Sequence, residues 1–157
     1  MFYYDTNIAS TTNASSGTEN KEEYLLTVAN QRTCALMGMY ISGRMSSAGG
    51  LVMRSKVFPT TAPSGGTAYT PGKRDPDAPA ASTTPATGAY TVGTGTPKIR
   101  QVVGCAAQGG FGGWFAATLE QSHILKPNGG VNGHIEFYSV SSLNSTAFDF
   151  NTEFAEV

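Results

Sequence analysis

The chain holds two histidines, His123 and His134, and each has a carboxylate at a suggestive distance in sequence. Glu120-x-x-His123 has the spacing that sets two metal ligands on one face of a helix. The surrounding residues read as strand and turn, where positions three apart face opposite sides, so no metal role is assigned to it. His134-x-Glu136 would share one face of a strand, as a metal enzyme built on a β-sandwich requires. The further histidines of such a site are missing, and His134 reads as a surface or turn residue. A serine nucleophile needs a base and an orienting acid, and no Gly-x-Ser-x-Gly elbow accompanies either histidine. Val92-Gly93-Thr94-Gly95-Thr96-Pro97-Lys98 superficially resembles a phosphate loop but lacks its glycine-to-lysine spacing and the helix that must follow. Asn13-Ala14-Ser15 and Asn144-Ser145-Thr146 match glycosylation acceptors by chance. Trp114, framed by Gly113 and Phe115, could stack on a sugar ring, although core packing or a subunit contact is the favoured reading. Cys34 and Cys105 lie in apolar strand-like runs and read as buried free thiols. No constellation identifies a reaction, and no cofactor, metal ion or catalytic residue is assigned.

The elements that would position these residues are strands. From residue 134 to 140, Ile135 and Phe137 fall on one face and Glu136 and Tyr138 on the other. From 147 to 157, Phe148, Phe150, Thr152 and Phe154 share a face, opposite Asp149, Asn151 and Glu153, the half-buried antiparallel pattern. Asn128-Gly129-Gly130 and Asn132-Gly133 supply a reversal before this pair. Residues 33–45 are apolar on both faces, with Ala35, Met37, Met39 and Ile41 on one and Cys34, Leu36 and Tyr40 on the other, which predicts a central, doubly covered strand. Leu51, Met53 and Val57 alternate with Arg54 and Lys56, predicting a strand that is basic outside. Residues 98–106 return to strand, with Ile99, Val103 and Cys105 inward. Residues 109–113 form a glycine-rich turn, residues 114–119 a strand and 122–125 a short one. Residues 24–28 fit a strand or a short capped helix, with the β-branched residues favouring the strand.

The expected architecture is all-β: a single domain over 1–157, a two-sheet antiparallel sandwich of jelly-roll type. Two segments fall outside that core. Residues 1–20 are rich in Ser, Thr and Asn behind an aromatic tip, Phe2, Tyr3 and Tyr4, and read as an extended arm that docks on a neighbouring subunit or packs back on its own domain. Residues 59–97 form a low-complexity insertion of Pro, Gly, Thr, Ser and Ala. Ordering it would cost on the order of 40 to 80 kcal/mol, more than its sparse apolar content returns, so other chains are expected to hold it.

A net charge of -1, with 13% of residues charged, argues against a general nucleic-acid or membrane-surface binder. No signal peptide and no apolar run of transmembrane length is visible. Basic residues concentrate in the middle of the chain (Arg32 to Arg100) and acidic ones towards its ends. That distribution reads as solvated faces or as complementary patches between subunits.

Several stretches together resemble small virion proteins of tailed bacteriophages. They are Ala48-Gly49-Gly50-Leu51, Thr70-Pro71-Gly72-Lys73-Arg74-Asp75-Pro76, Ala78-Pro79-Ala80-Ala81, Gly112-Gly113-Trp114, the run from Leu125-Lys126-Pro127-Asn128 through Gly133, and the terminal Phe-x-Phe strand. The resemblance spans most of the chain and is greatest to the jelly-roll decoration, or cement, proteins of phage heads. It implies a non-enzymatic homo-oligomer, a trimer rather than a dimer, on the outer face of the capsid. The major capsid protein would be its partner and the virion its location, after synthesis in the host cytoplasm, with no direct nucleic-acid or membrane contact. Phe2, Tyr3, Tyr4, Lys73, Arg74 and Trp114 are the candidate interface residues. The alternative is a carbohydrate-binding adhesin module of a head fibre or tail, using Trp114 and Tyr138.

Overall fold

The computed structural model of the chain describes residues 1–13, 15–28, 32–126 and 133–157, without the side chains of residues 10, 11, 21–26 and 89. Through them run β1 (Phe2–Asn13), β2 (Asn20–Thr27), β3 (Cys34–Gly43), β4 (Gly50–Val57), β5 (Ser64–Ala68), β6 (Gly72–Lys73), β7 (Thr84–Thr91), β8 (Lys98–Ala106), β9 (Phe111–Phe115), β10 (His123–Leu125), β11 (His134–Ser141) and β12 (Thr146–Glu156). One 3-10 turn, Leu119–Gln121, precedes β10. The reversal expected at 126–130 and 132–133 lies largely outside the described residues, which omit 127–132.

The strands make two antiparallel sheets. One runs β10-β3-β12-β1-β6, with β9 sharing the β10 side of β3; the other runs β5-β7-β2-β11-β4-β8. Eight of the strands pair as a nest: β1 with β12, β2 with β11, β3 with β9 and β4 with β8. β12 also pairs with β3, and β11 with β4. The all-β antiparallel sandwich is therefore as the residue patterns predict.

The alternating phenylalanines meet as expected. Ile135 and Phe137 of β11 point in from one sheet, Phe148, Phe150 and Phe154 of β12 from the other, and all five are fully enclosed. Phe137 and Phe150 pack with centroids 5.0 Å apart and planes tilted by 55°, an arrangement favoured by the ring quadrupoles. These two strands thus face one another across the core. Thr152, on the same face, meets Thr6 of β1 with hydroxyls 2.6 Å apart.

β3 is covered on both sides, but its faces change at an irregularity. The β12 register skips between Glu153↔Gly38 and Phe154↔Leu36. Beyond the skip Leu36 and Cys34 turn inward to join Met39 and Ile41. Ala35 and Met37 turn outward and pack on Ala116 and Ala155. A bulge inverts the alternation that the sequence alone carries through unbroken.

Two segments depart from expectation. Residues 1–20 are not an extended arm: β1 pairs with β12 from Phe2↔Glu156 to Asn13↔Thr146 and with β6 on its other side. Its polar composition hid the inward series Tyr4, Thr6 and Ile8. Residues 59–97 are not a bare loop either. They supply β5 and β7, which widen the second sheet beyond β2, and β6, which closes the edge of the first. The insertion gains its order from sheets formed by the rest of the chain, so neighbouring chains are not needed to explain it.

Residues 109–113 are likewise more strand than turn. A Cβ on Gly112 would lie 2.1 Å from the Gly104 carbonyl oxygen, so glycine there allows β9 to run close against β8; a side chain would force the strands apart.

Candidate functional site

The candidate interface residues separate into three groups. Phe2, Tyr3, Lys73 and Arg74 are exposed and lie together at the β1–β6 edge. There the Arg74 N–H donates to the Tyr3 carbonyl at 3.1 Å, and its guanidinium pairs with Glu153. Tyr4 is buried: its ring stacks on Phe154 at 5.4 Å and its hydroxyl donates to the Pro79 carbonyl at 3.0 Å. Trp114 is half-buried at the opposite end of that sheet, stacked on His123 at 4.8 Å and packed against core residues. Tyr138 is 7% exposed. Tyr4 is thus a core residue, Trp114 packs against the core as its favoured reading has it, and neither Trp114 nor Tyr138 is the open aromatic platform that the adhesin alternative requires.

Among the described residues the most exposed aromatics are others. Phe111 and Phe115 of β9 are 70% and 57% exposed, and Ile99, Val102 and Ile124 on β8 and β10 stand out beside them. Phe111, Gly113 and Phe115 alternate with Gly112 and Trp114, a period-two signal that the glycine-rich reading of 109–113 concealed. Ile99, expected inward, points out because the β4–β8 register skips between Ser55↔Gln101 and Lys56↔Ile99. The chain therefore carries exposed apolar side chains at two far-apart edges, one at β1–β6 and one at β8–β9–β10. Tyr40 stacks on Phe111 at 6.0 Å, and the pair borders a depression of about 170 Å³ with Asp149 and Asn151. The buried Asn151 Oδ1 there has no hydrogen-bond partner among the described residues.

His134 and Glu136 are fully enclosed, contrary to the surface reading of His134. They point away from the core, but Phe58, just before the 59–97 segment, and Gly93, near its end, cover them. The Phe58 N–H donates to His134 Nε2 at 3.4 Å, and the Gly93 N–H donates to Glu136 Oε1 at 3.1 Å. The Tyr138 hydroxyl donates to Glu136 Oε2 at 2.9 Å, and burial first, then the Glu136 charge, pushes that phenol far above its ordinary value. A side chain at Gly93 would strike Phe58 and the Thr61 carbonyl at 2.6 Å, so glycine is required for this closure. Buried charge persists only when paired and hydrogen-bonded, and here the pairing fastens the insertion to the sheet. Among the described residues no group of three or more metal-ligating side chains gathers.

Lys56 is buried rather than solvated, its ammonium 4.6 Å from the centre of the Tyr138 ring and paired with Glu19; Arg54 joins Glu19 at 2.8 Å. Arg44 meets Asp149 at 3.0 Å. Four of the basic residues in the middle of the chain thus pair with acidic residues nearer its ends, within the molecule. Burial pushes Glu19 up, but hydrogen bonds from Lys56 and Arg54 outweigh it and hold the carboxyl below its usual range. Cys34 is buried, and that burial pushes its thiol up to about 12; Cys105 is half-buried, so only Cys34 is the enclosed thiol expected.

Comparison with protein-family models, with curated proteins and with solved structures finds no match to the chain. No described helix is long and apolar enough to cross a membrane.

Proposed function

We propose that this protein is a jelly-roll decoration protein of a tailed-phage head, a non-enzymatic homo-oligomer, trimeric in its working form, that binds the outer face of the major capsid protein and bridges neighbouring capsomers. The observation that carries the reading is the pairing of a nested strand order with two separate exposed apolar edges. A jelly roll is a long antiparallel hairpin wound over itself, and the pairs β1·β12, β2·β11, β3·β9 and β4·β8 follow that order. Contiguous exposed apolar side chains mark interaction surfaces. Two unlike patches at opposite edges suit a head-to-tail contact, which closes into a ring when the rotation permits. Many modest contacts repeated by symmetry then give avidity on a shell.

The test is binding of the purified chain to shells assembled from its capsid protein, alongside a mass measurement in solution. Binding at micromolar concentration and a trimer mass are expected, with Phe111→Ser/Phe115→Ser disrupting one or both. Failure of the wild type to bind such shells at micromolar concentration overturns the proposal. A second reading, a glycan-binding module, draws on the Tyr40–Phe111 pair beside Asp149 and the unpartnered Asn151 Oδ1. Saturable binding on a glycan array, lost in Phe111→Ala, would favour it instead.

A further inference from the structure

A cleft of about 390 Å³ opens between the start of β8 and β10, lined by Arg100, Ser122, His123, Ile124, Lys126 and their neighbours Val57 and Leu125. β8 and β10 are edge strands of the two opposed sheets, so the cleft lies where the sandwich is open along its side. Arg100 occupies the position skipped by the β4–β8 register, between Gln101 and Ile99. A bulge of this kind at a sheet edge re-aims a side chain, and it sends Ile99 outward while setting Arg100 beside the cleft.

Arg44, Arg54, Lys56 and Arg74 are each paired with a carboxylate of the same chain, whereas Arg100 and Lys126, like Lys73 and Lys98, make no ion pair among the described residues; of these four, only Arg100 and Lys126 share a cleft. Both are exposed, and no described carboxylate lines the cleft with them. His123 is held by its stack on Trp114, and its Nε2 is buried without a hydrogen-bond partner among the described residues. Burial and then the Arg100 charge hold this imidazole below its ordinary value, the direction expected where positive charge is uncompensated. Exposed Ile124 lines the cleft with the two cations.

We propose that this cleft is a carboxylate-binding site that takes an extended acidic segment of a partner protein, with Arg100 and Lys126 contacting its carboxylates and Ile124 an apolar side chain. In an extended peptide alternate residues share a face, so glutamates two apart can reach both cations while the residue between them meets neither. Two cations beside Ile124, on a chain of net charge -1, suit such a segment better than a polyphosphate backbone, which calls for a basic field. The site rests on the chemistry of the cleft and is tested without shells, so its failure and that of the decoration reading are separate results.

The test uses the full chain at low ionic strength, with a capped Glu-Leu-Glu-Leu-Glu peptide as probe and inorganic phosphate as the comparison. Titration followed by amide and imidazole NMR shifts should show saturable peptide binding centred on β8 and β10, weakened by salt, with the His123 titration moving upward in the complex. Arg100→Ala/Lys126→Ala should weaken it by at least roughly threefold, as loss of two exposed ion pairs requires. Arg44→Ala, which removes a cation engaged elsewhere, should leave it unchanged. Both altered cleft residues are exposed, so an unchanged thermal melt accompanies the loss. Peptide binding that survives the double variant, phosphate that binds as tightly as the peptide, or no saturable binding at millimolar peptide each overturns the proposal.

Discussion

Tyr4 tests whether the first strand belongs to the core. Its ring is fully enclosed, stacked 5.4 Å from Phe154, and its hydroxyl donates to the Pro79 carbonyl at 3.0 Å. Tyr4→Phe keeps the ring and removes the hydrogen bond, at a cost of about 1 kcal/mol. Tyr4→Ala also removes the ring from a site closed on both sides, and large aromatic truncations of this kind cost roughly 3 to 5 kcal/mol. For a domain of this size each kcal/mol lowers the melting temperature by about 2 to 4 °C. The phenylalanine variant should therefore melt about 2 to 4 °C below the wild type and the alanine variant roughly 6 to 20 °C below it. The assay is circular dichroism at fixed protein concentration, so that any self-association contributes equally. If Tyr4→Ala melts within about 2 °C of the wild type, β1 is not packed as described and the arm reading returns.

Other consequences are as direct. Phe150→Ala should destabilise by roughly 3 to 5 kcal/mol, because its ring meets Phe137 at the centre of the core, and an unchanged melt would contradict that packing. Glu19 has a folded-state pKa below its ordinary 4.5, so the stability it adds is complete above that value and is lost as pH falls through the lower folded one. Glu19→Gln should thus be less stable than the wild type at pH 7, with the gap closing on acidification; a gap independent of pH refutes the linkage. With its thiol raised to about 12 and enclosed, Cys34 should resist maleimide at pH 8 in the native protein while half-buried Cys105 labels, and both should label in denaturant. Equal native labelling would show that Cys34 is accessible.

The strands that could be read from sequence were those whose alternation is local and uninterrupted. Ile135 and Phe137, and Phe148, Phe150 and Phe154, announce their inward faces because each run carries its own contrast between apolar and polar. Met37 and Ile99 were placed on the wrong face because each lies beside a register skip, and a skip is decided by the partner strand. β1 escaped notice because its inward Thr6 is satisfied by Thr152, almost the whole chain away. His134 and Glu136 looked solvated because the covering groups are backbone N–H donors of residues 58 and 93, whose identities say nothing of where they lie. The β8–β10 cleft was invisible for a similar reason: Arg100 and Lys126 are ordinary surface residues until two sheet edges bring them together.

The Phe2↔Glu156 pairing has a consequence in time. At roughly 5 to 20 residues per second, β1 leaves the ribosome roughly 7 to 30 seconds before β12, the strand that must cover one of its edges. A strand of valines and isoleucines waiting that long would be a template for pairing with other chains. The Ser, Thr and Asn that made residues 1–13 look like an arm keep the waiting strand wet, and sheet closure waits for β12 to emerge, as suits a topology dominated by distant pairs.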